Sequence, residues 1–282
     1  MYVNAQMGEM GYSPERETFN SQCTSRGKGN SMNAKNDRAA WLKGPATRCS
    51  VLPQTQSRPR HFVLLGAPGV GKGTQAELLS ARLGACQLST GDIFRAAKSI
   101  TACERSPALN LALDAMRKGE LVSDETVLAM VTERIVCLRC GGGFLLDGFP
   151  RTVAQAEALT RLLAHEQIQL DAVLSYELPL ETIVARLSGR RTCEKCKAVY
   201  HVQSRPAKVE GVCDGCGGNL IQREDDRPES VKVRMAAYES STAPLTDYYR
   251  KLNLLVSVSA EGSPEAIYQR TVQMLDAKGE CG

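Results

Sequence analysis

Short apolar runs and segments of helical period alternate along the chain from residue 61 onward. The first run, residues 62–65, is apolar without interruption, which favours a strand buried on both faces. Helical spacing follows at Ala76, Leu79 and Leu83, and a second helical segment surrounds Leu159. The runs that predict strands are residues 62–65, 85–88, 144–146, 172–178 and 254–258. This alternation predicts an α/β fold with a mainly parallel sheet and helices on both faces.

The first 60 residues have a different composition, with only four aliphatic side chains and nine Lys or Arg against four acids. Such a segment buries too little apolar surface to offset the entropy of ordering, which predicts a disordered extension. Residues 32–60 hold a single acid, Asp37, and partly fit a targeting peptide. Glu9, Glu15 and Glu17 do not fit one. A disordered tail and an organellar targeting segment both remain open.

Composition excludes several classes of protein. No apolar run approaches the roughly 18 residues that a membrane-spanning helix needs. The net charge of +4 belongs to the first 60 residues, so the rest of the chain is slightly acidic and nucleic-acid binding is disfavoured. The 11 cysteines are odd in number and favour a reducing compartment, with some of them holding metal. We therefore predict a cytoplasmic protein, with organellar targeting as the alternative.

A glycine-rich loop, residues 66–74, follows the first predicted strand and precedes a helix predicted over residues 75–83. Glycines let successive N–H groups converge on phosphate oxygens, the helix N-terminus adds its dipole, and Lys72 supplies a cation. Gly73 stands where such loops usually carry Ser or Thr, and the hydroxyl moves to Thr74. We expect Mg²⁺ to be held by nucleotide phosphates and waters that Asp92 or Asp147 positions. Helix capping is the alternative role for both aspartates.

Residues 190–226 are rich in Gly, Pro and Cys and lack helical period, which predicts a small insert. Cys193 and Cys196 form one C-x₂-C pair, and Cys213 and Cys216 form a second one sixteen residues later. This spacing can bring four thiolates to the corners of a tetrahedron, so we predict a structural Zn²⁺. Two disulfides, or a site that has lost its metal, are the alternatives.

Four motifs together resemble the adenylate kinase family: residues 66–74, 89–95, 145–152 and 222–226. The resemblance covers residues 61–275, with the motifs in order and at compatible spacing. It implies a P-loop NTPase-like five-stranded parallel sheet with helices on both faces, an AMP-binding helical insert and a small zinc-bearing lid. The implied boundaries are 1–60 for the extension and 61–282 for the kinase domain, with core segments 61–89, 123–188 and 227–282, the AMP-binding insert 90–122 and the lid 189–226.

The resemblance also implies roles for individual residues. The catalytic set is Lys72, Arg151, Arg190, Arg223, Arg234, Asp147, Asp225 and Asp226. The ATP-binding set is Gly69, Val70, Gly71, Lys72, Gly73, Thr74, Arg186, Arg190, Tyr200 and Ser263. The AMP-binding set is Thr90, Arg95, Glu120, Leu121, Val122, Gly148, Arg151, Gln155, Arg223 and Arg234. Two of these residues have further interpretations: the amide of Gln155 can offer a donor and an acceptor to adenine, and Tyr200 equally suits the core of the insert.

The implied activity is that of a nucleoside monophosphate kinase, ATP + AMP ⇌ 2 ADP, with Mg²⁺ and with a monomer as the expected state. The expected partners are ATP or GTP, AMP and ADP, with no nucleic acid and no membrane. The main alternative is a GTP:AMP phosphotransferase of mitochondrial type, because residues 220–229 resemble that branch whereas residues 72–75 resemble the ATP-using one. A UMP/CMP kinase and a nucleic-acid-binding zinc ribbon are further alternatives. The length of the insert and Gln155 disfavour the first, and the scarcity of aromatic residues in the insert disfavours the second.

Overall fold

The computed structural model describes residues 58–97, 105–118, 122–133, 138 and 141–280. Most of the predicted extension, the side chain of Arg95, and Glu120 and Leu121 lie outside the described residues. The predictions made for them stay predictions.

A five-stranded parallel sheet forms the centre of the fold, in the strand order β2-β3-β1-β4-β8. Its strands are β1 (Arg60–Gly66), β2 (Cys86–Ser89), β3 (Gly143–Asp147), β4 (Ala172–Glu177) and β8 (Leu255–Ser259). The predicted α/β fold and its five-stranded sheet are therefore confirmed. The carboxyl ends of the parallel strands share one edge, which is where ligands bind in sheets of this kind.

Alternate residues of β1 face opposite layers of core. Val63 and Leu65 pack in a cluster with buried side chains from the sheet and several helices, and Phe62 and Leu64 pack on the other face. Each such side chain contributes about 2 kcal/mol by leaving water. The helices are α1 (Lys72–Leu83), α2 (Thr90–Ala97), α3 (Pro107–Arg117), α4 (Asp124–Thr132), α5 (Val153–His165), α6 (Leu180–Gly189), α7 (Pro228–Ala237), α8 (Pro244–Lys251) and α9 (Pro264–Glu280). A π-helical turn, Tyr238–Thr242, joins α7 to α8.

The cysteine-containing insert has its own three-stranded antiparallel sheet in the order β6-β5-β7. The strands are β5 (Arg190–Cys193), β6 (Val199–His201) and β7 (Leu220–Ile221). Gly189 ends α6 immediately before β5, and a Cβ atom there would lie only 2.4 Å from the His201 ring. A larger residue at position 189 would therefore have to displace the His201 ring.

Among the described helices, none is both long enough and apolar enough to cross a membrane.

Candidate active site

The phosphate loop connects β1 to α1 at the carboxyl edge of the sheet. Gly66, Gly69 and Gly71 all have positive φ, and Gly71 is the N-cap of α1 in the left-handed conformation. A Cβ atom at Gly66 would lie 2.5 Å from the Tyr176 carbonyl oxygen, so the loop needs glycine there for space as well as for conformation. The helix begins at Lys72, three residues before the predicted start. Its free N–H groups and its dipole therefore face the loop, as phosphate binding requires.

Lys72 is the cation of this loop. Its Nζ donates hydrogen bonds to the carbonyl oxygens of Gly66 (2.6 Å) and Ala67 (3.0 Å). Burial lowers the pKa of Lys72 to about 8, and the nearby carboxylate of Asp147 opposes this shift. Arg151, Arg234 and Arg190 are close enough to lower the pKa further. Since these groups come from distant parts of the chain, the fold brings the predicted cations to one place.

A buried carboxylate holds two of these arginines. Arg190 makes a two-pronged ion pair with Asp226, with its Nε 2.7 Å from Oδ2 and its other contact to Oδ1. The Asp226 side chain is fully buried. Arg234 lies 3.7 Å from Asp226 Oδ1 and 3.1 Å from Asp225 Oδ2, and it also donates to the Asp225 carbonyl oxygen at 2.7 Å. Both aspartates therefore position arginines: both carboxylate oxygens of Asp226, and Oδ2 of Asp225, contact guanidinium groups.

Arg223 comes from the end of the insert. Its Nε donates to the Thr192 hydroxyl at 2.7 Å, which orients its guanidinium from β5. Arg223 precedes the 3₁₀ turn Glu224–Asp226 that carries Asp226. The segment 223–226 therefore carries both Arg223 and Asp226, the carboxylate that pairs with Arg190.

On the acceptor side, Gly148 links two predicted AMP-binding residues. Its carbonyl oxygen accepts from Thr90 Oγ1 (2.9 Å) and from Arg151 Nε (2.8 Å). Gly148 has φ of 82°, and a Cβ atom there would lie 2.7 Å from the Thr90 hydroxyl oxygen. Val122 is half-buried against the core.

Gln155 is buried in the first turn of α5 and its amide is bonded at both ends. Its Oε1 accepts from the Arg151 backbone N–H at 2.8 Å, and its Nε2 donates to Asp124 Oδ1 at 2.5 Å. The amide retains one N–H and one lone pair for a ligand. Asp124 was not singled out from the sequence, because it lies 31 residues away and only tertiary structure brings the two together.

Arg186 lies on the donor side of the loop. Its guanidinium donates to the carbonyl oxygens of Val70 (3.0 Å) and Ala260 (2.8 Å), so it ties the phosphate loop to the turn after β8. Burial lowers its pKa. In that turn, the Ser263 hydroxyl accepts from the Ala266 N–H at 3.2 Å and caps α9.

Asp147 ends β3 beside the start of α1, with one carboxylate oxygen 3.9 Å from the position of a Cβ atom at Gly73. A carboxylate next to a phosphate loop is the type of ligand that Mg²⁺ and its waters prefer, so the residues fit this ion. Asp92 lies in the first turn of α2, where its N–H contacts the Ser89 hydroxyl at 3.3 Å.

The four cysteines of the insert form one cluster in which all four Sγ atoms lie within 4.8 Å of one another. Cys193 Sγ is 3.4 Å from Cys216 Sγ, and Cys196 Sγ is 3.5 Å from Cys213 Sγ. A tetrahedral zinc site with Zn–S bonds of about 2.3 Å needs sulfur atoms about 3.8 Å apart. The described thiols are free, which disfavours the disulfide alternative. The cluster is therefore compatible with a structural Zn²⁺.

Tyr200 belongs to the core of the insert, where it packs with Cys193 and Cys213 and is 9% exposed. Its hydroxyl oxygen accepts from the Asp214 N–H at 3.0 Å and lies 3.5 Å from Cys213 Sγ. Burial opposes ionisation of Cys213, but hydrogen bonds from Tyr200 and from the backbone lower the pKa of its thiol. This placement favours the structural alternative for Tyr200 over contact with the donor base.

Comparison with known proteins agrees with this geometry. The family model for adenylate kinase matches residues 64–254. An adenylate kinase of Carboxydothermus hydrogenoformans is 51% identical over 207 residues, which is 73% of this chain and 95% of that protein. Those of Thermodesulfovibrio yellowstonii and Streptomyces avermitilis are each 47% identical, over 77% and 76% of this chain and 100% and 96% of their own lengths. The chain therefore belongs to the adenylate kinase family of nucleoside monophosphate kinases.

Proposed function

We propose that this protein catalyses the reversible reaction ATP + AMP ⇌ 2 ADP. The observation that carries the proposal is the convergence of Arg151, Arg190 and Arg234 on Lys72 at the phosphate loop. Transfer of a phosphoryl group between two nucleotides brings many negative oxygens together, so catalysis depends on positioned cations and the exclusion of water.

On the donor side, the loop from Gly69 to Thr74 wraps the β- and γ-phosphates of ATP, and Lys72 exchanges its carbonyl contacts for phosphate oxygens. Arg186 holds the turn after β8 against the loop, next to the donor base. The capping role of Ser263 keeps this turn in place. Tyr200 contributes to this side indirectly, through the core of the insert.

On the acceptor side, Thr90 and Gly148 support the Arg151 guanidinium that binds the AMP phosphate. Gln155 offers its remaining donor and acceptor to the base. By resemblance to the family, Arg95 and the backbone of Glu120, Leu121 and Val122 complete this side.

In the transfer step, an oxygen of the AMP phosphate attacks the γ-phosphorus while the bond from that phosphorus to the β,γ-bridging oxygen breaks, which leaves ADP on both sides. Arg190, Arg223 and Arg234 stabilise the charge on the transferring group. Asp226 and Asp225 fix the directions of two of these guanidiniums. The insert, as a lid, excludes water from the reacting atoms.

Two metal ions complete the proposal. Mg²⁺ bound with the nucleotide supplies charge neutralisation between the phosphates, and Asp147 would hold its waters. Cys193, Cys196, Cys213 and Cys216 would hold Zn²⁺, which stabilises a lid too small to maintain a core of its own.

The test is phosphotransfer by the full chain with Mg²⁺, with ATP or GTP as donor crossed against AMP, CMP, UMP and GMP. We expect ATP with AMP to react fastest, and the Lys72→Met and Arg151→Ala variants to lose turnover by orders of magnitude without unfolding. A faster reaction of GTP with AMP would favour the GTP:AMP phosphotransferase, which the bacterial relatives named adenylate kinase do not support. Near-normal turnover of Lys72→Met would contradict the assigned site.

A further inference from the structure

The amide of Gln155 has a fixed direction in this structure because one of its two hydrogen-bond partners is a donor and the other is an acceptor. The Arg151 backbone N–H can only donate, and it lies 2.8 Å from Oε1. The Asp124 carboxylate can only accept, and it lies 2.5 Å from Nε2. If the amide turned over, its oxygen would face the carboxylate and its NH₂ group would face the N–H. Both contacts would then be repulsive.

Asp124 is itself held in place. It is the first residue of α4, and its second carboxylate oxygen accepts from the Thr152 hydroxyl at 3.2 Å. The same hydroxyl accepts from the Gln155 N–H at 3.1 Å, as the N-cap of α5. Asp124, Thr152 and Gln155 thus form a closed network between the ends of two helices, and the half-buried carboxylate is its acceptor.

Because the amide is fixed, the positions of its remaining N–H donor and its remaining acceptor lone pair are fixed as well. Adenine presents a donor at N6 beside an acceptor at N1, whereas hypoxanthine presents an acceptor at O6 beside a donor at N1. The two bases have almost the same size, so only the direction of the amide distinguishes them. Hydrogen-bonding sites of this kind reject analogues strongly because a mismatched base leaves buried groups unpaired.

We propose that Asp124 is a specificity-determining positioning residue, which selects adenine over 6-oxopurines by fixing the direction of the Gln155 amide. This inference rests on the proposed function, in which Gln155 contacts the acceptor base.

The experiment compares kcat/KM for AMP and for IMP, with ATP as donor, in the full-length protein and in Asp124→Asn. The asparagine side chain can present a donor to Gln155, so one of the two restraints on the amide disappears. We expect the AMP/IMP ratio to fall by about tenfold, the change that corresponds to one hydrogen bond. Asp124→Ser, whose hydroxyl can donate or accept, should lower the ratio in the same way.

Two controls separate this effect from loss of structure. Glu125→Gln removes a charge from the next, exposed residue of α4 and should leave the ratio unchanged. Asp124→Glu keeps a group that only accepts and should retain most of the selectivity. A purely structural role would lower kcat/KM for both nucleotides alike and leave their ratio constant.

Three results would count against the two proposals in different ways. A constant ratio in both Asp124→Asn and Asp124→Ser would overturn the inference. So would a wild-type protein that uses AMP and IMP equally well, although the proposed function would then stand. A wild-type protein that does not phosphorylate AMP at all would instead overturn the proposed function.

Discussion

At the scale of single residues, the site depends on cations held closer together than their charges favour. Lys72 lies among three arginines, with Asp147 as the carboxylate that opposes them. Arg190 and Arg234 share Asp226, so one buried carboxylate compensates two guanidiniums. This arrangement is suited to a polyanionic ligand, which supplies the missing negative charge.

The pKa of Lys72 leads to a prediction about pH. Because this pKa is about 8 in the free protein, the ammonium is protonated at lower pH and loses its charge as the pH rises through that value. We expect kcat/KM for ATP to fall above about pH 8. The corresponding fall in kcat should occur at a higher pH, because the phosphates of the bound nucleotide favour the protonated form of Lys72.

The Lys72→Arg variant is the control for this profile, because arginine keeps its charge throughout the range. Its turnover should be lower, and its kcat/KM profile should lack the limb near pH 8. A wild-type kcat/KM that stays level up to pH 9.5 would contradict a pKa of about 8 for Lys72.

Asp226 gives a second prediction. Asp226→Asn removes the buried charge that holds Arg190 and Arg234, so we expect a loss of about 3 kcal/mol in the free energy of unfolding. Turnover should fall strongly as well, because both guanidiniums lose their direction. Denaturant unfolding and steady-state kinetics measure the two effects.

Asp225→Asn is the matched control, since that carboxylate pairs with Arg234 alone among the described residues and is partly exposed. It should cost less than about 1 kcal/mol. Equal effects of the two substitutions would mean that burial of Asp226 is not what positions the arginines.

At the scale of elements, the sequence predicted the strands of the main sheet well, because short uninterrupted apolar runs are typical of strands buried on both faces. All five strands of the main sheet begin and end within two residues of prediction. The exact start of α1 was not predictable, because Gly71 caps the helix through its backbone conformation and leaves no side-chain signal. None of the three short strands of the insert was predicted, since strands of two to four residues without an apolar run depend on their pairing with one another.

Within the candidate site, the motifs predicted which cations take part but could not show what holds them. The pairings Arg223–Thr192 and Gln155–Asp124 join residues 31 positions apart, and each depends on tertiary packing. The spacing of Thr152 and Gln155 is that of a helix cap, a local signal in the sequence that could have indicated this part of the network.

The insert provides a prediction at this scale. The Tyr200 hydroxyl accepts from the Asp214 N–H, so its proton is directed to Cys213 Sγ. Hydrogen bonds to a coordinating thiolate support metal binding. We expect Tyr200→Phe to release Zn²⁺ at least about tenfold faster to a chromogenic chelator, with the KM for ATP little changed.

Tyr176→Phe is the control, because it also removes a buried tyrosine hydroxyl, one that contacts Thr271 in the main domain. It should leave zinc release unchanged. If Tyr200→Phe instead raised the KM for ATP and left zinc release as it was, Tyr200 would be a donor-base contact after all.

At the scale of the whole molecule, every predicted site residue lies between Gly66 and Ser263, and the family model matches residues 64–254. The described fold begins with Arg58, which lies 2.6 Å from the buried carboxylate of Asp171. The backbone N–H of His61 also donates to Asp171, at 2.7 Å.

Removal of residues 1–57 should therefore leave kcat/KM for ATP and AMP within about twofold of the full chain, since it removes none of these contacts. A further deletion through Arg58 should lower the melting temperature by removing the ion pair with Asp171. A large loss of activity in the first truncation would show that the extension takes part in the reaction.

The ion pair of Arg190 with Asp226 has a mechanical consequence for the insert, the proposed lid. Arg190 is the first residue of the insert's sheet, and Asp226 ends the 3₁₀ turn that only Arg227 separates from α7, so the ion pair joins the beginning and the end of the insert. We therefore expect the two ends of the insert to move together in any motion of the insert relative to the parallel sheet. A substitution that breaks this ion pair should loosen both ends of the insert and at the same time displace Arg190, a predicted phosphate-binding cation.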